Sequence, residues 1–133
     1  MKIAYSTAFT PPAPVISAQV STPDDEAHSP VLPTLIDTGS DSTAIPEFVV
    51  EQLQLIPAGE MLVQAYDGTP TERALYDVVL RVANIRFDGA SVIVRARDHV
   101  ILGRDILNYL HLLLDGPALT LEILEEQSPI SNP

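Results

Sequence analysis

The chain has no cysteine and no tryptophan, and aromatic residues make up only 5% of its 133 positions. Without cysteine there are no disulfides and no thiolate metal ligands, and the redox compartment is left open. With so few rings the core must be built from Val, Ile, Leu and Ala, a β-branched bias that favours strands. Basic residues are also scarce, 7 against 18 acidic ones, for a formal net charge of −11. A phosphate backbone needs clustered Lys and Arg, so nucleic acid is excluded as a partner. Two copies of so acidic a chain repel each other, and the repulsion eases as carboxylates protonate, which points to an acidic working pH. Long apolar runs are missing too. The longest, such as Leu112-Leu113-Leu114, fall far short of the roughly 20 residues that span a bilayer. The start, Met1 to Thr7, turns polar and meets Pro11-Pro12 before an apolar signal core forms. The expectation is a soluble, cytoplasmic protein that does not engage a membrane.

What is present is a hydrophobic fraction of 46% and enough length for one domain with a real core. A single domain over 1–124 is expected, with 125–133 as a polar, proline-containing tail. Met1 to Phe9 reads as a strand broken by Pro11, Pro12 and Pro14. Val15 to Ser21 and Val31 to Ile36 read as a hairpin around the polar loop Thr22 to Pro30. The acidic cluster in that loop lacks the spacing and glycine of an EF-hand and is read as a solvated loop. Pro46 to Leu53 suits a short helix, with proline at its start and Gly59 closing the segment. Glu60 to Tyr66 and Thr71 to Val82 flank the tip Asp67-Gly68-Thr69-Pro70, a hairpin long enough to project. Asp88-Gly89 predicts a second hairpin between Asn84 to Phe87 and Ser91 to Ala96. Val100 to Leu102 then leads through Gly103 into a helix containing Ile106, Leu107 and Tyr109. Asp115-Gly116-Pro117 turns the chain between Leu110 to Leu114 and Ala118 to Leu124.

The hairpin before Asp37 delivers the segment that carries chemistry, Asp37-Thr38-Gly39-Ser40, an aspartate in a tight turn present in one copy. The triplet alone is within reach of chance. Its context is an apolar strand before, a Ser-Thr-Ala-Ile-Pro exit after, the Tyr66-Asp67-Gly68 hairpin tip, and the Ile101-Leu102-Gly103 strand end. Together these residues resemble the retropepsin family of single-domain aspartic proteases, from about Val15 to Ile123 and in the family's order. The resemblance implies an all-β, closed barrel-type fold with one or two short helices, and a homodimer that hydrolyses peptide bonds without a cofactor. It implies Asp37 as the catalytic residue, Thr38, Gly39 and Ser40 as its support, and Tyr66, Asp67 and Gly68 as a flap tip over the peptide substrate. It also implies a buried ion pair between Asp41 and Arg104, the other reading of the two being an ordinary surface pair. Ser40 is placed either to bond the carboxylate or as a plain turn serine. Tyr66 either closes over substrate or packs half-buried in its strand.

The physical reason for the pattern is independent of the resemblance. Hydrolysis without a metal or covalent nucleophile needs one group to take a proton from water and another to give one to the carbonyl oxygen. Two carboxylates about 3 Å apart share one proton and do both. A chain with one such aspartate completes the pair only with its own copy. Rival chemistries lack their frames: His28, His99 and His111 are widely spaced without an HExxH pattern, and no GxxxxGK loop or GxSxG elbow occurs. Two alternatives stand beside the protease: an inactive dimerisation or peptide-binding module of the same fold, and an unrelated β-barrel with an exposed chance triplet.

Overall fold

The computed structural model describes residues 2–64 and 67–124. Ten strands and two short helices follow one another as β1 (Lys2–Ala4), β2 (Val15–Ser21), β3 (Leu32–Ile36), β4 (Ala44–Pro46), α1 (Glu47–Leu53), β5 (Gly59–Gln64), β6 (Pro70–Val82), β7 (Ile85–Arg95), β8 (Val100–Leu102), α2 (Arg104–Leu107), β9 (Leu112–Asp115) and β10 (Thr120–Ile123). The expected mostly β character and short helices are present. The strands lie in two sheets: a mixed seven-stranded sheet ordered β2-β3-β8-β4-β7-β6-β5, and an antiparallel three-stranded sheet ordered β1-β10-β9. β2 also pairs with β6, so one side of the larger sheet folds back on the other. Among the described residues, no helix is long and apolar enough to cross a membrane.

Alternation explains the frame. In β3, Leu32, Thr34 and Ile36 turn inward while Pro33 faces out, and β2 alternates in the same way through Ile16, Ala18 and Val20. The fully buried side chains Val20, Ile45, Leu80, Val92, Val100, Leu102 and Leu121 come from both sheets, as a core without tryptophan and with few rings requires. β2 and β3 form the expected hairpin, Val15 opposite Leu35 and Ala18 opposite Leu32. β8 then runs parallel beside β3, with Ile36 opposite Leu102. Two non-local strands therefore end side by side where the Asp37 turn begins.

Three local expectations shift. Helix α1 ends at Gln54, which takes the left-handed conformation and returns its N–H to the last turn, and Gly59 instead opens β5. Asp88-Gly89 is no hairpin tip, because β7 runs through it as one strand. The turn lies at Ala83-Asn84, both at positive φ, and Gly89 at φ 65° sits where the β6–β7 register slips between Val78 and Leu80. Asn tolerates the left-handed region; a glycine there instead supplies a bulge. The short strand β4, parallel to β7 and touching β8, lies in the segment read only as an exit from the motif.

Candidate active site

Asp37 follows β3 directly, and its N–H donates to the carbonyl of Leu102 at 3.1 Å, extending the parallel β3–β8 ladder by one bond. The turn is closed by the Ser40 N–H on the Asp37 carbonyl at 3.1 Å, and the Gly39 N–H reaches the Asp37 carboxylate Oδ1 at 3.0 Å. A Cβ on residue 39 would stand 3.2 Å from that oxygen, so glycine keeps the carboxylate uncrowded. The Asp37 side chain is half-buried while Thr38 and Gly39 are exposed, which leaves the tip of the turn open to whatever approaches it.

The start of α2 holds the loop from behind. The Arg104 backbone N–H donates to the Ser40 carbonyl at 2.8 Å, and its guanidinium Nη1 donates to the Thr38 carbonyl at 2.6 Å. The buried Thr43 makes the second tie: its N–H and hydroxyl donate to the Asp105 carboxylate at 3.1 and 2.7 Å, and its Oγ1 accepts the Gly103 N–H at 3.1 Å. Gly103 lets the two segments touch. A Cβ there would lie 2.6 Å from the Ser42 carbonyl carbon, a clash with backbone that no rotamer relieves.

The loop differs from expectation in its ion pair, and it decides between the two readings of Ser40. Asp41 and Arg104 do not form a buried ion pair within the chain: both are exposed, and the Arg104 guanidinium is spent on the Thr38 carbonyl. Asp105, the next residue, supplies the structural carboxylate. Its position in the first turn of a helix after glycine was the available signal, and Thr43 sat in the Ser-Thr-Ala exit. Ser40 directs its hydroxyl to the Ser42 carbonyl at 2.7 Å, so it fastens the loop backbone and not the carboxylate.

Beyond the loop, β5 and β6 form the projecting hairpin. Residues 70–73 of β6 are exposed where they pair with β5, and residues 78–80 are buried where they pair with β7. At the tip Gly68 takes φ 82°, and the Thr69 N–H donates to Asp67 Oδ1 at 2.9 Å, which holds that carboxyl below its ordinary range. Tyr66 lies outside the described residues. The hairpin meets the loop through the Met61 sulfur, 3.8 Å from the Ser42 hydroxyl.

A second cluster lies on the other side of β2. Asp25 receives both Arg81 guanidinium nitrogens, at 2.8 and 2.6 Å, with Arg86 at 3.3 Å. The Arg81 hydrogen bonds lower the Asp25 pKa to about 2. The Ser21 hydroxyl is 2.6 Å from His28 Nδ1, the same nitrogen that faces Asp25 at 3.7 Å. A serine and a carboxylate on one nitrogen cannot relay a proton through the ring, so the cluster is a clasp for the loop and not a nucleophile.

No family model and no curated protein matches the chain in sequence. Solved structures match its fold. A retropepsin-like aspartic protease from Rickettsia conorii superposes with a TM-score of 0.63 at 15% identity, covering 92% of this chain and 88% of its own. The simian foamy virus (mac) protease superposes at 0.54 and 19% identity, over 71% of this chain and 92% of its own. The EIAV protease, solved with the inhibitor HBY-793, superposes at 0.52 and 20% identity, over 72% and 86%. The fold is retropepsin-like.

Proposed function

We propose that this chain is an aspartic endopeptidase, active as a homodimer in which Asp37 of each copy forms half of one catalytic pair. One observation carries the reading: a single aspartate stands on a turn fixed by β3, β8 and α2, half-buried at an open tip, in a fold whose solved neighbours are aspartic proteases. The Asp37 carboxylate has only the Gly39 N–H as a partner among the described residues. Its outer oxygen is left to share a proton with a second carboxylate. One member takes a proton from the attacking water while the other protonates the peptide oxygen. The exposed Thr38 is available to hydrogen-bond across the two-fold axis and steady the opposite loop. The hairpin with Asp67 and Gly68 at its tip covers an extended peptide, held by main-chain hydrogen bonds as strands hold strands.

The test is a digest of a diverse peptide library between pH 3 and 7 by the wild type and by Asp37→Asn. The expected result is cleavage that the wild type performs and the variant loses by at least about a thousandfold, with sedimentation and melting unchanged. Undiminished proteolysis in the variant would remove Asp37 from the mechanism. A wild type that cleaves nothing and ignores pepstatin-type mimics would replace the protease with a binding module.

A further inference from the structure

The projecting hairpin has two faces of different charge. Residues directly opposite each other in an antiparallel ladder share a face. Met61 with Arg73 and Val63 with Thr71 therefore lie on one side of β5 and β6, and Leu62 with Glu72 and Glu60 with Ala74 lie on the other. The Met61 sulfur, 3.8 Å from the Ser42 hydroxyl, shows which side is turned to the Asp37 loop. Met61 and Val63 are half-buried on that side, while Leu62 on the far side is 66% exposed. Arg73 is thus on the inner face of the hairpin, and Glu60 and Glu72 are on the outer one.

In a chain with 7 basic residues against 18 acidic ones, solubility alone does not ask for that placement. An arginine that only keeps a hairpin in solution belongs on the outer face, where this hairpin carries two glutamates instead. Other arginines of the chain are engaged: Arg81 and Arg86 by Asp25, and Arg104 by the Thr38 carbonyl. Arg73 is exposed, and its guanidinium makes no ion pair or hydrogen bond among the described residues, not even with the exposed Asp41 next to Ser42. Its planar fork of N–H donors matches a carboxylate in a bidentate pair.

We propose that Arg73 is a specificity residue, which pairs with a glutamate or aspartate side chain of an extended peptide lying between the hairpin and the loop. On the proteolytic, dimeric reading above, on which this rests, the two-fold axis puts one Arg73 on each side of the scissile bond. Acidic residues are then selected on both sides of the cut. The choice runs against the net charge of −11, which repels acidic peptides and attracts basic ones over the surface as a whole. A cation on the inner face reverses that preference where the peptide lies.

The experiment uses the full chain and a peptide library in which every Glu and Asp also occurs as Gln and Asn. Cleavage by the wild type, read by mass spectrometry, should favour the acid over its amide about tenfold at one position on each side of the cut, as a hydrogen bond between charged groups provides. Arg73→Gln should bring the acid peptides down to the level of their amides, with melting unchanged because the side chain is exposed. Arg73→Glu should turn the preference toward lysine. The wild-type preference should fade below about pH 4.3, where a substrate glutamate takes up its proton and comes to resemble its amide. An arginine with a merely structural role would not produce that profile. Equal cleavage of acid and amide peptides, or a preference that survives Arg73→Gln, overturns the role of Arg73 and leaves the Asp37 chemistry standing. Binding of the same library to Asp37→Asn, with and without Arg73→Gln, separates the two readings. If the wild type cleaves nothing, bound peptides that favour the acid only when Arg73 is present uphold its role without the protease, and equal binding, or none, overturns it.

Discussion

The Asp37 loop and the β5–β6 hairpin are neighbours built on opposite principles. The loop is tied to elements distant in sequence: Leu102, Gly103, Arg104 and Asp105 hold residues 37–43 through backbone bonds, a guanidinium and a carboxylate. The outer part of the hairpin, β5 with residues 70–75 of β6, is tied mainly to itself, through its own ladder and the turn bonds of Asp67 and Gln64, and to the loop by a weak sulfur contact at Met61. Opening a segment costs what its contacts to the body are worth. The difference separates two demands of the proposed reaction, since a carboxylate must be held within a fraction of an ångström, while its cover must admit a peptide and release products.

The comparison breaks most sharply at Gly103. Gly103→Ala drives a Cβ into the Ser42 backbone, and the loop has to move because no side chain can yield. Overpacking of this kind costs about 1–3 kcal/mol, which thermal melting will show. A displacement of about 1 Å at reacting groups costs on the order of a hundredfold in rate, so cleavage should fall far more than stability does. Wild-type activity in Gly103→Ala would mean that the loop is not held by close approach to α2.

Met61→Ala tests the other half. The hairpin should lose its sulfur contact with Ser42 while the Asp37 turn keeps every bond it has. Met61 is half-buried, so the stability change should stay near 1 kcal/mol. KM should rise severalfold with kcat close to wild type, because uniform binding is lost and the reacting groups stay in place. A kcat that collapses with KM unchanged would show that the hairpin positions the carboxylates, and the distinction between the two regions would fall.

The same contrast governs how much was legible in the sequence. Features set by near neighbours could be read: the strand Val15 to Ser21, its hairpin to Asp37, the tip at Asp67-Gly68, and a short helix beginning after Pro46. Features set by distant partners could not. Thr43 meets Asp105 only because β8 lies parallel to β3, and nothing in either local segment announces that crossing. The Arg104 guanidinium had a carbonyl nearer to hand than the Asp41 carboxylate assigned to it. Asp88-Gly89 carries the composition of a hairpin turn, and the strands used Ala83-Asn84 instead because that places Val82 opposite Ile85 and keeps the inward faces aligned.

A third loop, between β2 and β3, sharpens the comparison through charge. Where the Asp37 loop is held by α2, this one is held by Asp25 on Arg81, and its grip depends on an ionised carboxylate. The folded-state pKa of Asp25, about 2, lies below its ordinary value of 3.8. The unfolded chain therefore takes up the proton first as pH falls. The stabilisation is fully present above the ordinary value and drains away as pH drops toward about 2. Asp25→Asn should melt slightly lower than wild type at pH 7, since the pair is open to solvent and screened, and the two curves should converge between pH 4 and 2. Asp24 in the same loop is also held low, by the Thr22 hydroxyl first. It titrates in both proteins, so the difference between the curves isolates Asp25. Melting curves that stay parallel over that window would show that the charge on Asp25 does not hold this loop.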